Sequence, residues 1–295
     1  MYPAAFAYHR ASSVSEAIQL VAASGGKARF LAGGHSLLPM MKLRLASPEM
    51  LVDIGRLGEL RGIRVSDGEL VVGALTTHRE VHTSPLVREQ CPVLAEAAGV
   101  IGDPQVRNRG TVGGNLAHAD PASDLPAVAM ALQARIVALG PGGRSRTLPA
   151  DAFFVGPLKS ALEDTELVTE VRFSTGRALG ASRTGMAYAK FAHPASGYAV
   201  VGVAAVVGLD EAGNCQVVRI GVTGVADRAF RAESAERALV GRRPDDWALE
   251  EAARLSTDGV QVQSDLFASS DYRAHLCRVF VKRALAQALQ RARAA

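Results

Sequence analysis

The sequence contains 295 residues, which at about 100 to 200 residues per domain is enough for two or three domains. Hydrophobic residues make up 48% and charged residues 21%, a composition that excludes a disordered chain, a fibre and a small disulfide-rich domain. The formal net charge is +4, yet no block of lysines and arginines could follow a phosphate backbone. Nucleic acid is therefore not an expected partner.

The three cysteines, Cys91, Cys215 and Cys277, lie far apart in the sequence. This spacing is not that of an iron–sulfur cluster or a zinc site, and three free thiols suit a reducing cytoplasm. The longest apolar run, from Tyr198 to Leu209, is shorter than the roughly 20 residues that a membrane-spanning helix needs. We therefore expect a cytoplasmic protein without a metal site or a membrane span.

The first half of the sequence alternates between strand and helix patterns. Capping-box spacing at Ser13 and Glu16, and again at Thr77 and Glu80, marks two helix starts. Apolar periodicity places the other boundaries. Helices are predicted at residues 14–24, 36–45 and 124–132 and after Thr77, and strands at residues 28–32, 51–54, 63–65, 70–72, 135–139 and 166–173.

The pattern changes beyond a small, polar segment at residues 177–185. Three successive strands are predicted there as an antiparallel meander, and three helices follow. The strands span residues 186–191, 200–209 and 216–222, and the helices begin at the predicted caps Asp227, Asp245 and Ser270. Strands followed by helices predict an α+β module, with a domain boundary near residue 180.

A first glycine cluster lies between a predicted strand and a predicted helix, at Ala32-Gly33-Gly34-His35-Ser36. Backbone without side chains can approach a ligand closely, and successive N–H groups at a helix start form a concavity that suits a phosphate. The cluster is neither a Walker A loop nor a GxGxxG motif. A simple turn explains it equally well.

A second glycine cluster starts at Arg109 and reads RGTVGGNLAHADPASD. Thr111 and Asn115 supply a hydroxyl and an amide, and the carboxylate of Asp124 could accept hydrogen bonds from sugar hydroxyls. Asp124 also stands where a helix N-cap is expected, so both roles are open. Two phosphate-binding turns in one chain favour a dinucleotide ligand.

Several further motifs occur in one order and spacing along nearly the whole chain. They are AGGHSLLP (32–39), IGDPQVR (101–107), TVGGN (111–115), DPASD (120–124), ELVTEV (166–171), YAK (188–190) and DYRAHL (271–276). In this set the chain resembles the medium, FAD-binding subunits of the molybdenum hydroxylases, the carbon monoxide dehydrogenase and xanthine dehydrogenase family.

The resemblance implies an α+β fold with two parts. Residues 1–178 would form a two-lobed FAD-binding domain of the vanillyl-alcohol-oxidase (PCMH) type, with lobes at about 1–57 and 58–178. Residues 185–295 would form the C-terminal domain of the flavin subunit, with a three-stranded antiparallel sheet and helices.

The resemblance also implies a set of cofactor-binding residues and no catalytic or metal-ligating ones. Ala32 to Leu37, together with Thr111, Gly114, Asn115 and His118, would contact the phosphates, and Asp124 would contact the adenosine ribose. Ile101 and Gly102 would lie against the isoalloxazine, and Leu167 or Val168 would flank the flavin ring system or adenine. Lys190 would reach the isoalloxazine carbonyl side, where its charge would stabilise reduced flavin. His118 and Tyr198 are equally or better explained as structural residues. The full set is Ala32, Gly33, Gly34, His35, Ser36, Leu37, Ile101, Gly102, Thr111, Gly114, Asn115, His118, Asp124, Leu167, Val168 and Lys190.

The implied function is electron transfer within a complex. FAD would be bound non-covalently, and molybdopterin and iron–sulfur clusters would lie on a large and a small partner subunit, in a heterotrimer or its dimer. The flavin would pass electrons from the iron–sulfur subunit to an external acceptor. Two alternatives remain: a stand-alone flavin oxidase or dehydrogenase with FAD attached at His35, and a scaffold subunit without cofactor.

Overall fold

The computed structural model describes residues 2–295. The helices are α1 (Val14–Ala23), α2 (Leu37–Lys42), α3 (His78–Thr83), α4 (Pro85–Gln90), α5 (Pro92–Gly99), α6 (Pro104–Arg109), α7 (Val112–His118), α8 (Asp124–Ala131), α9 (Ala150–Phe153), α10 (Glu233–Leu239), α11 (Asp246–Arg254) and α12 (Ser270–Ala294). The strands are β1 (Ala7–Arg10), β2 (Ala28–Leu31), β3 (Met50–Asp53), β4 (Ile63–Ser66), β5 (Glu69–Gly73), β6 (Arg135–Leu139), β7 (Ser145–Pro149), β8 (Phe154–Gly156), β9 (Lys159–Ser160), β10 (Leu167–Ser174), β11 (Arg183–Ala192), β12 (Ala199–Leu209), β13 (Cys215–Thr223) and β14 (Phe230–Arg231). Within residues 2–295, no helix is both long and apolar enough to cross a bilayer.

A small parallel sheet forms the N-terminal lobe, with strand order β1-β3-β2. Helix α1 connects its first two strands and buries one apolar face, at Val14, Ala17, Ile18 and Val21. Ser13 caps this helix as predicted, but Glu16 turns its carboxylate to Ser12, so the reciprocal half of the capping box is absent. Two parallel strands of one sheet must be joined by a crossover connection. Here helix α1 forms that connection, and its buried face contributes to the apolar core of the lobe.

A five-stranded antiparallel sheet forms the second lobe, with strand order β4-β5-β10-β6-β7. Strand β10 lies at its centre, although it is the last of the five in the sequence. Helices α3 to α8 lie in the chain between β5 and β6, and they share one apolar core with this sheet. Both glycine clusters therefore reach the junction of the two lobes.

The C-terminal part is an antiparallel sheet, β11-β12-β13-β14, covered by α10, α11 and α12. The α+β prediction is confirmed, but the sheet has four strands rather than three. The extra strand, Phe230–Arg231, has only two residues, too few for a periodic sequence signal. On the other face of the sheet, Gly221 faces the carbonyl oxygen of Ala127, so α8 lies directly against β13.

Several predicted boundaries differ from the structure. Asp227 does not cap a helix, because α10 begins after Ala232, and α12 is capped by Ser269 rather than Ser270. The three helices α4, α5 and α6 were not predicted; each is short and starts with a proline at its first position. Helices of six to eight residues carry too few apolar positions for periodicity to reveal them.

Candidate functional site

A cleft of about 1080 Å³ lies between the two N-terminal lobes and the first hairpin of the C-terminal sheet. All the predicted cofactor-binding residues except Lys190 line it. Small-molecule sites usually have about 300 to 1000 Å³, so this cleft has room for an extended ligand.

The two glycine turns touch each other backbone to backbone in the wall of the cleft. A Cβ atom on Gly33 would lie 2.2 Å from the carbonyl oxygen of Arg109 and 3.0 Å from the Cα atom of Gly110. No side chain fits in that space, because real Cβ atoms do not approach a backbone oxygen so closely. Glycine at position 33 therefore allows the two turns to form one continuous surface.

The first turn presents backbone N–H groups without protein acceptors. Among the described residues, none accepts a hydrogen bond from the N–H groups of Gly33, Gly34, His35 or Ser36, and the Ser36 side chain makes no cap hydrogen bond. Gly34 has φ +75°, which turns the chain into α2. This turn can donate to an anion in the cleft, as predicted from its sequence.

The second turn uses its backbone differently from the first. Val112 N–H donates to Thr76 O (3.0 Å), Gly113 N–H to Ala74 O (2.9 Å), and the N–H groups of Gly114 and Asn115 to the Thr111 side chain and backbone. These four N–H groups anchor α7 to the preceding segment, whereas the Thr111 N–H donates to no acceptor within residues 2–295. The predicted phosphate contacts of this turn stay a prediction. The turn also offers the cleft side-chain polarity.

That polarity comes from Asn115 and its neighbours. The Oδ1 atom of Asn115 accepts a hydrogen bond from Ser123 Oγ at 2.8 Å, which leaves the Asn115 amide N–H₂ as a donor. His118 lies further along α7, half-buried, and burial lowers its pKa while Asp120 opposes that shift. A neutral imidazole and an amide are therefore the polar groups of this wall.

A buried ion pair lies at the start of α8. The Lys190 ammonium is 2.8 Å from Asp124 Oδ2, and the Tyr188 hydroxyl donates to Asp124 Oδ1 at 2.6 Å. Both charged side chains are almost fully enclosed, at 6% and 5% exposure. Burial raises the pKa of Asp124, and Lys190 opposes that shift.

This pairing changes how two predicted roles relate to each other. The resemblance assigned Asp124 to the ribose and Lys190 to the isoalloxazine, which are distant parts of FAD. The structure joins the two side chains directly, with Lys190 behind Asp124 and also donating to Val100 O at 3.1 Å. The two residues therefore act in one place, as a pair with little net charge, and only Asp124 faces the cleft.

The segment at Ile101 and Gly102 borders the cleft beside the first C-terminal hairpin. Arg107 donates to the carbonyl oxygens of both residues, at 2.9 and 3.0 Å, which holds the segment in its turn. A Cβ atom on Gly197 would lie 3.9 Å from Gly102 Cα. The next residue, Tyr198, also lines the cleft, and burial raises the pKa of its hydroxyl.

Leu167 and Val168 enter the cleft from the central strand β10, each almost fully buried. The residue before them, Glu166, also lines the cleft and is held by both nitrogens of the Arg146 fork at 2.5 Å. Sequence reasoning did not single out this pair, because Arg146 in β7 and Glu166, the residue before β10, lie 20 residues apart and meet only in the folded chain.

His78 is another cleft residue that was not predicted from the sequence. It is 2% exposed and follows the predicted cap Thr77, which does form a reciprocal capping box with Glu80. Burial, with smaller effects of His35 and Arg107, lowers the pKa of His78 to about 4. Because His78 directly follows a helix cap, its position in the sequence indicated a structural role and did not indicate that it lines the cleft.

The comparisons with known proteins agree with this geometry. The family described as "FAD binding domain in molybdopterin dehydrogenase" matches residues 4–174, and "CO dehydrogenase flavoprotein C-terminal domain" matches residues 186–288. The chain is 43% identical to the carbon monoxide dehydrogenase medium chain of Hydrogenophaga pseudoflava, with 97% of each chain covered. It is 39% identical to the 6-hydroxypseudooxynicotine dehydrogenase complex subunit alpha of Paenarthrobacter nicotinovorans, with 99% of this chain and 97% of that one covered.

A solved structure shows the same fold over the whole length. The carbon monoxide dehydrogenase from Hydrogenophaga pseudoflava that lacks the Mo-pyranopterin moiety matches with a TM-score of 0.93 and 44% identity, covering 99% of both chains. The two family matches, the full-length relatives and this structure confirm the resemblance carried by the sequence motifs. The chain belongs to the family of FAD-binding medium subunits of molybdenum hydroxylase-type dehydrogenases, and it is the flavoprotein subunit of such an oxidoreductase.

Proposed function

We propose that the cleft holds one FAD non-covalently, with its diphosphate at the contact between the two glycine turns. In this proposal the chain takes electrons from an iron–sulfur subunit and passes them to an external acceptor. The observation that carries the proposal is the Gly33 contact with Arg109, since it joins both turns into one wall of a cleft large enough for a dinucleotide.

The residues present fit the diphosphate. Four successive N–H groups of the first turn, from Gly33 to Ser36, have no protein acceptor among residues 2–295, and an anion would supply one. The Asn115 amide of the second turn can donate as well. The absence of a side chain at Gly33 lets the two turns meet and form this surface, because a Cβ atom there would lie 2.2 Å from the carbonyl oxygen of Arg109.

The role of the protein is to hold and shield the cofactor. Bound FAD supplies a carrier that accepts electrons from one partner and releases them to another. Ile101 and Val168 present apolar surface that excludes water from the ring system. The Lys190–Asp124 pair gives the cleft a fixed dipole rather than a free charge.

We infer further that the partners are a large molybdenum-cofactor subunit and a small iron–sulfur subunit, in a heterotrimer or its dimer in the cytoplasm. The relatives support this, because one is called a medium chain and another a subunit of a dehydrogenase complex. We also infer a division into 1–178, with lobes at about 1–57 and 58–178, and 185–295. The two family matches support this division.

The test begins with the purified full-length chain. We expect close to one FAD per chain, and acid precipitation should release all of it into the supernatant. Flavin fluorescence that stays in the pellet, and disappears in a His35→Ala variant, would establish covalent attachment and favour a stand-alone oxidase. An apoprotein that cannot be loaded with FAD would overturn the proposal.

The second stage measures electron flow by stopped-flow absorbance of the flavin. The flavin should bleach when the iron–sulfur and molybdenum subunits are present with their substrate. It should stay oxidised when the lone chain is mixed with small organic donors. Rapid bleaching of the lone chain by such a donor would contradict the role of electron-transfer subunit.

A further inference from the structure

His78 lies beside the contact that joins the two glycine turns and lines the cleft. Its backbone N–H donates to Gly110 O at 3.0 Å. A Cβ atom on Gly110 would lie 2.8 Å from both Nε2 and Cδ2 of the His78 ring. A Cβ atom on Gly33 would lie 3.0 Å from Gly110 Cα, so Gly110 lies close to both the first turn and the His78 ring.

Neither nitrogen of the His78 ring has a hydrogen-bond partner within residues 2–295. Nδ1 is enclosed, whereas Nε2 is not among the enclosed atoms. A buried N–H without an acceptor costs about 1 to 3 kcal/mol, and unpaired acceptors are tolerated somewhat better. The proton of a neutral imidazole is therefore best placed on Nε2, the nitrogen on the Gly110 side of the ring.

The surroundings keep the ring neutral. His78 is enclosed, and His35 of the first turn and the Arg107 guanidinium both disfavour a second positive charge there. Arg107 is itself engaged with the carbonyl oxygens of Ile101 and Gly102. His78 is thus a neutral donor that lines the cleft beside Gly110.

We propose that His78 is a further cofactor-binding residue, whose Nε2–H donates a hydrogen bond to the diphosphate group held at the contact between the two turns. This inference rests on the proposed function, because it requires FAD in the cleft. It adds a side-chain donor on the side of the second turn, where the backbone N–H groups from Val112 to Asn115 are already used by the protein.

The test compares His78→Phe and His78→Gln in the full-length chain freed of flavin. Phenylalanine keeps the ring shape and removes the donor, whereas glutamine can place an N–H near the position of Nε2. We expect His78→Phe to weaken the binding of both FAD and ADP about tenfold, as expected for one hydrogen bond to a charged group. His78→Gln should stay within about threefold of the wild type.

The matched control is His82→Gln, four residues further along the same helix. His82 Nδ1 is 2.9 Å from the carbonyl oxygen of Ala95, and the residue does not line the cleft. This variant should bind FAD and ADP like the wild type. Unchanged affinity in His78→Phe, or a loss for FAD without a loss for ADP, would overturn the inference.

A second measurement does not depend on any variant folding. In the wild-type chain labelled with ¹⁵N-histidine, addition of ADP should shift the Nε2 resonance of His78, and addition of adenosine should not. If ADP does not shift the Nε2 resonance of His78, the inference is overturned even if the variants are unstable. A wild-type chain that binds neither FAD nor ADP would instead overturn the proposed function itself, so the two failures are distinguishable.

Discussion

The two glycine turns look alike in the sequence but differ in what their backbone does. In the first turn, the N–H groups from Gly33 to Ser36 donate to no acceptor within residues 2–295. In the second, the N–H groups from Val112 to Asn115 all donate to protein oxygens at 2.9 to 3.2 Å. Glycine content alone therefore does not identify an anion-binding turn.

The difference follows from what lies behind each turn. The second turn lies over Ala74, whose Cβ would be 2.5 Å from a Cβ on Gly113, and it is tied to α8 through Ser123. The first turn has its close backbone contact on one side only, with Arg109 and Gly110. We therefore propose that the first turn supplies backbone N–H groups to an anion and that the second turn, held by its own hydrogen bonds, supports it. The predictions below test this division in order of decreasing effect.

The largest effect is expected for Gly33→Val. Its Cβ atom would have to displace the carbonyl of Arg109, which lies 2.2 Å away, so the two turns would separate and the cleft wall would open. We expect no detectable flavin in the purified variant, measured by absorbance. Gly58→Ala is the control, because a Cβ there meets nothing within 4 Å, and it should keep full occupancy. Normal flavin content in Gly33→Val would refute the contact as the site of the diphosphate.

The next effect concerns the buried ion pair of Lys190 and Asp124 at the start of α8. Lys190→Met leaves the Asp124 carboxylate enclosed without its ion partner, and breaking a buried pair in this way costs about 3 to 5 kcal/mol of unfolding free energy. Urea denaturation of the flavin-free chain measures it. Adding Asp124→Asn should restore most of the loss, because no uncompensated charge then remains. If the double variant is no more stable than Lys190→Met, the loss of stability is not caused by the uncompensated charge of Asp124.

The same variant should respond to pH in a defined direction. Burial already raises the pKa of Asp124 above its unfolded value, and loss of Lys190 removes the main opposing effect. A raised folded pKa means that the folded state binds a proton more tightly, so stability is gained as pH falls and lost as it rises. Lys190→Met should therefore recover stability toward pH 5 relative to the wild type, by urea titration at several pH values.

His78 should make the unfolding free energy depend on pH in the opposite direction. Its pKa is lowered from 6.5 to about 4. Between these pH values, the unfolded chain therefore binds a proton on His78 that the folded chain does not bind. The unfolding free energy should therefore fall by roughly 3 kcal/mol as pH drops from 6.5 to 4, relative to His78→Phe, which lacks the titrating group. The comparison uses flavin-free chains in urea. Parallel stability profiles for the two proteins would show that His78 is not enclosed as described.

The smallest expected effect compares the helix starts after the two turns. Thr111 caps α7 by accepting from Gly114 N–H at 3.2 Å, so Thr111→Val should cost about 1 kcal/mol of stability in the flavin-free chain. Ser36 makes no such hydrogen bond, and Ser36→Ala should leave that stability nearly unchanged. Equal losses in the two variants would mean that the first turn is braced like the second.

The sequence alone was sufficient for features that depend on neighbouring residues. Helix α1 after Ser13, the capping box at Thr77 and strand β2 before the first glycine cluster follow from local spacing and turn chemistry. Motif order then identified the family, and the predicted cofactor-binding residues other than Lys190 line the cleft. Short elements such as α4 to α7, β1 and β14 were not predicted.

Tertiary structure decided whatever depends on residues that are distant in the sequence. Asp124 and Lys190 are 66 positions apart, and only the packing of α8 against the C-terminal sheet brings them together. Which N–H groups remain free is settled by distant carbonyls, such as that of Ala74 for Gly113. The reason is physical: hydrogen-bond satisfaction and desolvation are properties of the packed chain, so motif spacing can propose the donors but cannot show whether the protein uses them itself.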